Sequence, residues 1–274
     1  MSRAISLPSV LLIGCGRMGG ALLSGWLEND LAERYIVVEP AVGARQQTLS
    51  PHVSFLASPD LLDAAVRPAA AVIAVKPQVM VETLQHYRAL AKAGTLFLSI
   101  AAGRTLGFLA SQLGAETALV RAMPNTPAAI GHGISVACAN AKVDPAGRAR
   151  AEALLAAVGE VAWIEDETLM DAVTAVSGSG PAYVFLLIEC LSMAGVEAGL
   201  PEPLAEKLAR ATVAGAGELA RVSPKSASQL REAVASPGGT TRAALDVLMA
   251  KDGLEPLLKK AVIAATRRSR ELAD

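Results

Sequence analysis

The chain has 274 residues, enough for about two domains and a substantial buried core. Its 52% hydrophobic against 19% charged residues exclude a disordered chain, and 25 Lys and Arg against 26 Asp and Glu leave no basic excess of the kind that meets nucleic acid. Cys15, Cys138 and Cys190 are scattered without CxxC spacing, so they read as reduced, buried thiols in a cytoplasmic setting rather than as a metal or disulfide framework.

Mean hydropathy of +0.40 with only 3% aromatics would also suit a membrane protein. The longest stretches without Asp, Glu, Lys or Arg argue against it. Residues 122–141 hold Pro124, Pro127, Gly131 and Gly133, and 172–188 hold Ser177 to Pro181, so neither is expected to stay helical across a bilayer. Arg3 followed by apolar residues 4–13 imitates a secretion signal, but the same residues fit a buried strand entering a glycine turn.

In chain order, short and nearly continuous apolar runs occur at 10–13, 35–38, 71–75, 96–100 and 119–122. Such runs suit strands buried on both faces of a parallel sheet. Between them, 17–28, 77–91 and 105–113 carry amphipathic helical patterns, so residues 1–165 are expected to form a doubly wound α/β domain. From 166 to 274 the pattern turns to Ala- and Leu-rich helices at 168–176, 181–199, 203–221, 226–235, 240–250 and 255–271, an all-helical second domain. The run 182–191 is apolar nearly all round, which asks for burial on every side and points to a homodimer.

Gly14-Cys15-Gly16-Arg17-Met18-Gly19 lies between the first strand and the first helix, where a dinucleotide fingerprint belongs. Gly14 suits the tight turn, Gly16 the approach of backbone to a pyrophosphate, and Gly19 the packing of helix on strand. Glu39 ends the second strand, where a carboxylate accepts hydrogen bonds from a ribose and repels a 2′-phosphate, so NADH is favoured over NADPH; Arg45 nearby is the residue that would receive that phosphate. Three further segments stand out: Ala74-Val75-Lys76-Pro77-Gln78 and Met123 to Pro127, both just beyond strands, and Ser236 to Thr241, opening a helix. In the last, glycine-rich backbone and the hydroxyls of Ser236, Thr240 and Thr241 would make a small anion site at a helix N-terminus, against the plainer reading of an ordinary Ser or Thr cap.

Taken together, GCGRMGGALL, AVKPQ, SIAAG, RAMPNTPA, DAVTAVSGSGPAYVF and ASPGGTTRAAL resemble, in that order and over essentially the whole chain, the pyrroline-5-carboxylate reductase family. The resemblance implies a Rossmann domain and a helical dimerisation domain, often assembled as a ring of dimers. It implies that Ile13 to Met18, Ala74 to Pro77, and Ile100, Ala101 and Ala102 line NADPH or NADH. It further implies that Ser236, Gly239, Thr240 and Thr241 hold the carboxylate of 1-pyrroline-5-carboxylate, with Thr241 beside the ring nitrogen as the catalytic group. Segment 223–230 departs from the His-Pro pair often found in that family. A β-hydroxyacid dehydrogenase on a similar fold would carry a lysine base on the first long C-terminal helices, and no lysine occurs from 143 to 206. A short-chain dehydrogenase would pair Tyr183 with a lysine four residues on, where Leu187 stands. The acids Glu165, Asp166 and Glu167 are expected to favour the start of the following helix.

Overall fold

The computed structural model describes residues 7–41 and 50–273, so Arg3 and Arg45 lie outside the described residues. It divides into two compact units. The first runs to Gly178 and takes back the chain from Thr266; the second is Ser179–Ala265. The expected boundary at 165 therefore falls inside the first contact-defined unit.

In the first unit β1 (Val10–Ile13), β2 (Tyr35–Val38), β3 (Val53–Leu56), β4 (Ala70–Ile73), β5 (Leu96–Ser99), β6 (Leu119–Met123), β7 (Gly133–Ala139) and β8 (Gly159–Trp163) form one sheet in the order β3-β2-β1-β4-β5-β6-β7-β8. Neighbours are parallel except β6 and β7. The continuous apolar runs are explained by alternation between two cores. Val10 and Leu12 of β1, with Tyr35 and Val37 of β2, enter one; Leu11, Ile13, Ile36 and Val38 enter the other. Helices α1 (Arg17–Glu28) and α5 (Pro145–Ala156) supply Leu22, Trp26, Leu154 and Leu155 to the first core. Helices α2 (Met80–Gln85), α3 (Arg88–Lys92) and α4 (Leu106–Leu113) supply Met80, Leu84, Leu90 and Leu109 to the second. The Trp26 Nε1–H donates to the Leu154 carbonyl at 2.8 Å, tying α1 to α5 across the first core.

All five expected strands are present, the first two with the expected bounds and the other three with ends shifted by one or two residues. Strands β3, β7 and β8 were not expected, because VSFL, GISVACA and GEVAW mix polar with apolar residues; β3 and β8 are sheet edges, only partly buried. The helix expected at 77–91 is in fact a 3₁₀ turn, Pro77–Val79, followed by α2 and α3 with a break at His86 and Tyr87. Helix α5 carries a readable start signal that the patterning missed: Asp144 accepts the Gly147 N–H at 2.6 Å, and Pro145 occupies the first turn.

The chain leaves the first unit through α6 (Met170–Val173) and a π-helical turn, Thr174–Gly178. Ser177 to Pro181 does not interrupt the helix as expected: Pro181 falls in the first turn of α7 (Gly180–Glu197), where a missing N–H costs nothing. Residues Glu167–Glu197 thus make a helix long and apolar enough to cross a membrane by length and composition alone. The second unit continues with α8 (Glu202–Val222), α9 (Ala227–Ala233) and α10 (Thr240–Leu248); α11 (Leu254–Ala273) begins in the second unit and ends in the first. Helices α7 and α8 approach closely at Gly195, where a Cβ would stand 3.2 Å from that of Ala205. No residue of α7 is buried, and Phe185, Leu186, Leu187 and Met193 are exposed. Cys190 on this helix is exposed as well, unlike Cys15 and Cys138, which corrects the expectation of three buried thiols. In the last turns of α11 the Ser269 hydroxyl donates to the Asp171 carboxylate at 2.6 Å, and Ser269 is itself buried.

Candidate functional site

Strand β1 runs directly into Gly14, whose φ of +89° lies in the left-handed region; a Cβ there would stand 2.8 Å from Val75 Cγ1. Gly19 lets α1 rest on that turn, since its Cβ would lie 2.5 Å from the Gly14 carbonyl oxygen. Gly16 differs. Its φ is −73° and a Cβ finds nothing within 4 Å, so no neighbour in the protein requires glycine there. Helix α1 starts at Gly16 without a capping side chain and with no acid in its first turn, presenting amide donors and a positive dipole end to an anion. Gly16→Ala is accordingly expected to keep the melting temperature within about 2 °C while weakening dinucleotide binding about tenfold or more. Gly19→Ala is expected to lower both. Thermal melts and fluorescence titration with NADH check the pair.

Glu39 follows β2 and is fixed from two sides: Oε2 accepts the Cys15 N–H at 2.7 Å and Oε1 the Ala41 N–H at 2.8 Å. Burial first, and the Glu39 charge second, push the Cys15 thiol above its ordinary range, which keeps it a neutral packing group. Ile13, Gly14, Gly16, Glu39, Ala74, Val75 and Lys76 come together along one groove of about 430 Å³ at the carboxyl ends of β1, β2 and β4. That is the point where strand order reverses. Cys15, Arg17, Met18, Gly19, Pro77, Ile100, Ala101 and Ala102 are not on the groove wall. Pro77 is tied to the segment after β5 by Arg104, whose Nη2 donates to the Pro77 carbonyl at 3.3 Å and whose guanidinium lies 4.7 Å over the Phe108 ring. Ile100 and Ala101 are buried in that segment, and Ala102 is exposed. The groove extends beyond the expected residues to Pro59, Val79, Glu82, Thr83, His86 and Tyr87. The break in the expected helix at His86 and Tyr87 is the signal that marks this end.

In the second unit, Gly238 has φ +68° and Gly239 caps α10 with no side-chain hydrogen bond, so the ordinary Ser or Thr cap is not formed. The Gly239 N–H donates to the Ser236 carbonyl at 3.0 Å, closing the turn, and the Gly239 carbonyl accepts the Arg242 N–H at 3.1 Å. Ser236 and Thr240 are exposed and Thr241 half-buried. Arg242 is matched by Glu232 at 2.8 Å, and this contact, with Arg231, holds the Glu232 carboxyl below its usual range. What the turn offers an anion is therefore backbone amides and hydroxyls.

The three acids expected to serve a helix start divide their roles. Glu165 meets Arg148 at the surface, and Asp166 caps its own turn by accepting the Thr168 N–H at 2.9 Å. The Oε1 of Glu167 accepts both the Leu106 N–H that opens α4 and the buried Arg121 guanidinium, each at 2.8 Å. Cys138, beside this pair, is pushed up to about 11 by burial and then by the Glu167 charge, with Arg121 opposing. Among the described residues no cluster of His, Cys, Asp and Glu could hold a metal ion.

A doubly wound sheet, a glycine turn whose middle glycine has no internal cause, and an acid at the end of β2 define an NAD(P)-dependent oxidoreductase. Residues 9–103 match the family model described as NADP oxidoreductase coenzyme F420-dependent, and 167–272 the one described as pyrroline-5-carboxylate reductase dimerisation. The pyrroline-5-carboxylate reductase of Synechocystis is 43% identical over 95% of this chain and 97% of its own length; that of Pseudomonas aeruginosa is 37% identical over 98% of each. Among solved structures, a pyrroline-5-carboxylate reductase from Coxiella burnetii superposes with a TM-score of 0.90 at 33% identity, covering 97% of this chain and 98% of its own. The Plasmodium falciparum enzyme with NADP bound gives 0.81 at 30%, with the same coverage. The chain belongs to the pyrroline-5-carboxylate reductase family.

Proposed function

We propose that this chain reduces the C=N bond of 1-pyrroline-5-carboxylate to L-proline, with the groove of the first unit holding the dinucleotide and the turn before α10 holding the substrate carboxylate. The observation that carries the reading is Gly16, a glycine that the fold leaves open and a pyrophosphate would fill. When bound, reduced nicotinamide would supply the hydride; Ala74, Val75 and Lys76 on the groove wall would hold it, with Pro77 and Ile100 to Ala102 next to that wall rather than on it. The amides of Thr240 and Thr241 bind the carboxylate, the Gly239 N–H being spent on closing the turn, and the Thr241 hydroxyl donates to the ring nitrogen as it takes up its proton. A cyclic imine protonates readily, so positioning supplies most of the catalysis and no lysine base is needed. Mixing the protein with NADH and the imine, and separately with NAD and a 3-hydroxyacid, tests this: turnover only in the first supports the reading, and turnover only in the second replaces it.

Glu39 gives a bias to NADH, because a 2′-phosphate at the ribose would meet its carboxylate. Glu39→Gln keeps an acceptor for the Cys15 N–H and removes the charge, so the NADPH to NADH ratio of kcat/KM should rise about tenfold; a ratio that does not move removes Glu39 as the determinant. The exposed apolar surface of α7 supports a homodimer, with a ring of dimers as the larger assembly, in the cytoplasm. Sedimentation at micromolar concentration should give no monomer, and Cys190 should then react slowly with thiol reagents in the native protein.

A further inference from the structure

The break between α2 and α3 turns His86 and Tyr87 toward the dinucleotide groove, which they line together with Pro59, Val79 and Thr83. Tyr87 is 0% exposed, yet its hydroxyl has no hydrogen-bond partner. The other buried tyrosine of this unit shows the usual outcome: the Tyr35 hydroxyl accepts the Ala32 N–H and donates to the Trp26 carbonyl, both at 2.9 Å. Buried phenols generally find a partner, and one without is a donor whose acceptor comes from elsewhere. Burial, reinforced by the charge of Asp60, holds the Tyr87 phenol far above its ordinary range, so it keeps its proton and remains a donor at any working pH.

Position decides which part of the cofactor it meets. Tyr87 lines the groove together with Val38 and Glu39 at the end of β2 and with Pro59, which follows β3. These elements lie on the Glu39 side of the glycine turn, and in an open parallel sheet the ribose at the end of β2 is the adenosine ribose. His86, 41% exposed in its side chain and 3.6 Å from Asp60, is the part of the wall with room to shift as a base seats.

We propose that the Tyr87 hydroxyl donates a hydrogen bond to the adenosine half of the bound dinucleotide, making Tyr87 a cofactor-positioning residue. The proposal rests on the groove being the dinucleotide site.

The test is Tyr87→Phe in the full chain, with NADH, AMP and reduced nicotinamide mononucleotide as probes and the ligand-free melting temperature as control. NADH and AMP should bind about five- to tenfold more weakly, as for the loss of one hydrogen bond. The mononucleotide should bind as before, and the ligand-free melting temperature should hold or rise, because an unmet buried hydroxyl has been removed. Unchanged affinity for NADH and AMP overturns the proposal. So does an equal loss for AMP and the mononucleotide with a lower melting temperature, which would reduce Tyr87 to a packing ring. If the wild-type chain binds the mononucleotide but not AMP, the adenosine end lies elsewhere and the proposal falls. If it binds none of the three, the groove assignment itself has failed.

Discussion

Thr241→Val is expected to lower kcat about a hundredfold while leaving NADH affinity unchanged and the KM for the imine within about threefold. Valine keeps the β-branch and the volume of threonine, so the first turn of α10 loses no packing. The backbone donors at the turn are untouched, because Gly239 caps the helix without help from any side chain. Only the hydroxyl is removed. Positioned proton donors contribute about 10² to 10⁴ in rate, and a readily protonated imine puts this one at the low end. Thr241→Ser should recover most of the rate. Gly239→Val makes the opposite split: a Cβ there already stands 3.2 Å from the Ser236 carbonyl oxygen, so the turn must give by a few tenths of an ångström and the added methyls crowd it further, and the KM for the imine should rise with a smaller change in kcat. Initial rates at saturating NADH separate the two, and a near-normal kcat for Thr241→Val would show that the imine needs no such donor.

Glu167→Ala is expected to cost about 3 kcal/mol of stability. The Arg121 side chain is 5% exposed and that of Glu167 27%, so removing the carboxylate strands a buried guanidinium; α4 keeps its Thr105 cap, whose hydroxyl accepts the Phe108 N–H, and loses only the acceptor of its Leu106 N–H. Breaking a buried pair costs about 3–5 kcal/mol, and the partial exposure of Glu167 keeps the loss at the lower end. In a unit of this size the melting temperature should fall by about 6–12 °C. Glu165→Ala is the internal control, since its ion pair with Arg148 is 88% exposed on the carboxylate side and worth well under about 1 kcal/mol. Calorimetry on both variants decides, and equal melting temperatures would mean that Arg121 finds another partner.

Strands β1, β2 and β4 were legible because burial on both faces leaves no polar position, so each prints as an unbroken apolar word. β7 and β8 were hidden for different reasons: β8 is a half-buried edge, while β7 is mostly buried but opens with Gly133 and carries Ser135 among its apolar residues. The glycine turn and Glu39 were readable from spacing, since the turn needs those residue types at fixed offsets. The Tyr87 end of the groove was not, because Met80 to Lys92 keeps a helical apolar period while the chain breaks at His86. The split among Glu165, Asp166 and Glu167 was equally opaque: the partners of Glu167, Leu106 and Arg121, lie 61 and 46 residues away.

The bond between Ser269 and Asp171 bears on synthesis at the ribosome. The first unit is begun first but closed last, because its final turns are translated only after the entire second unit has been synthesised. At about 5–20 residues per second, Asp171 waits several seconds for its partner. A nascent chain arrested before Thr266 should therefore hold a first unit that is formed but unlatched at this corner.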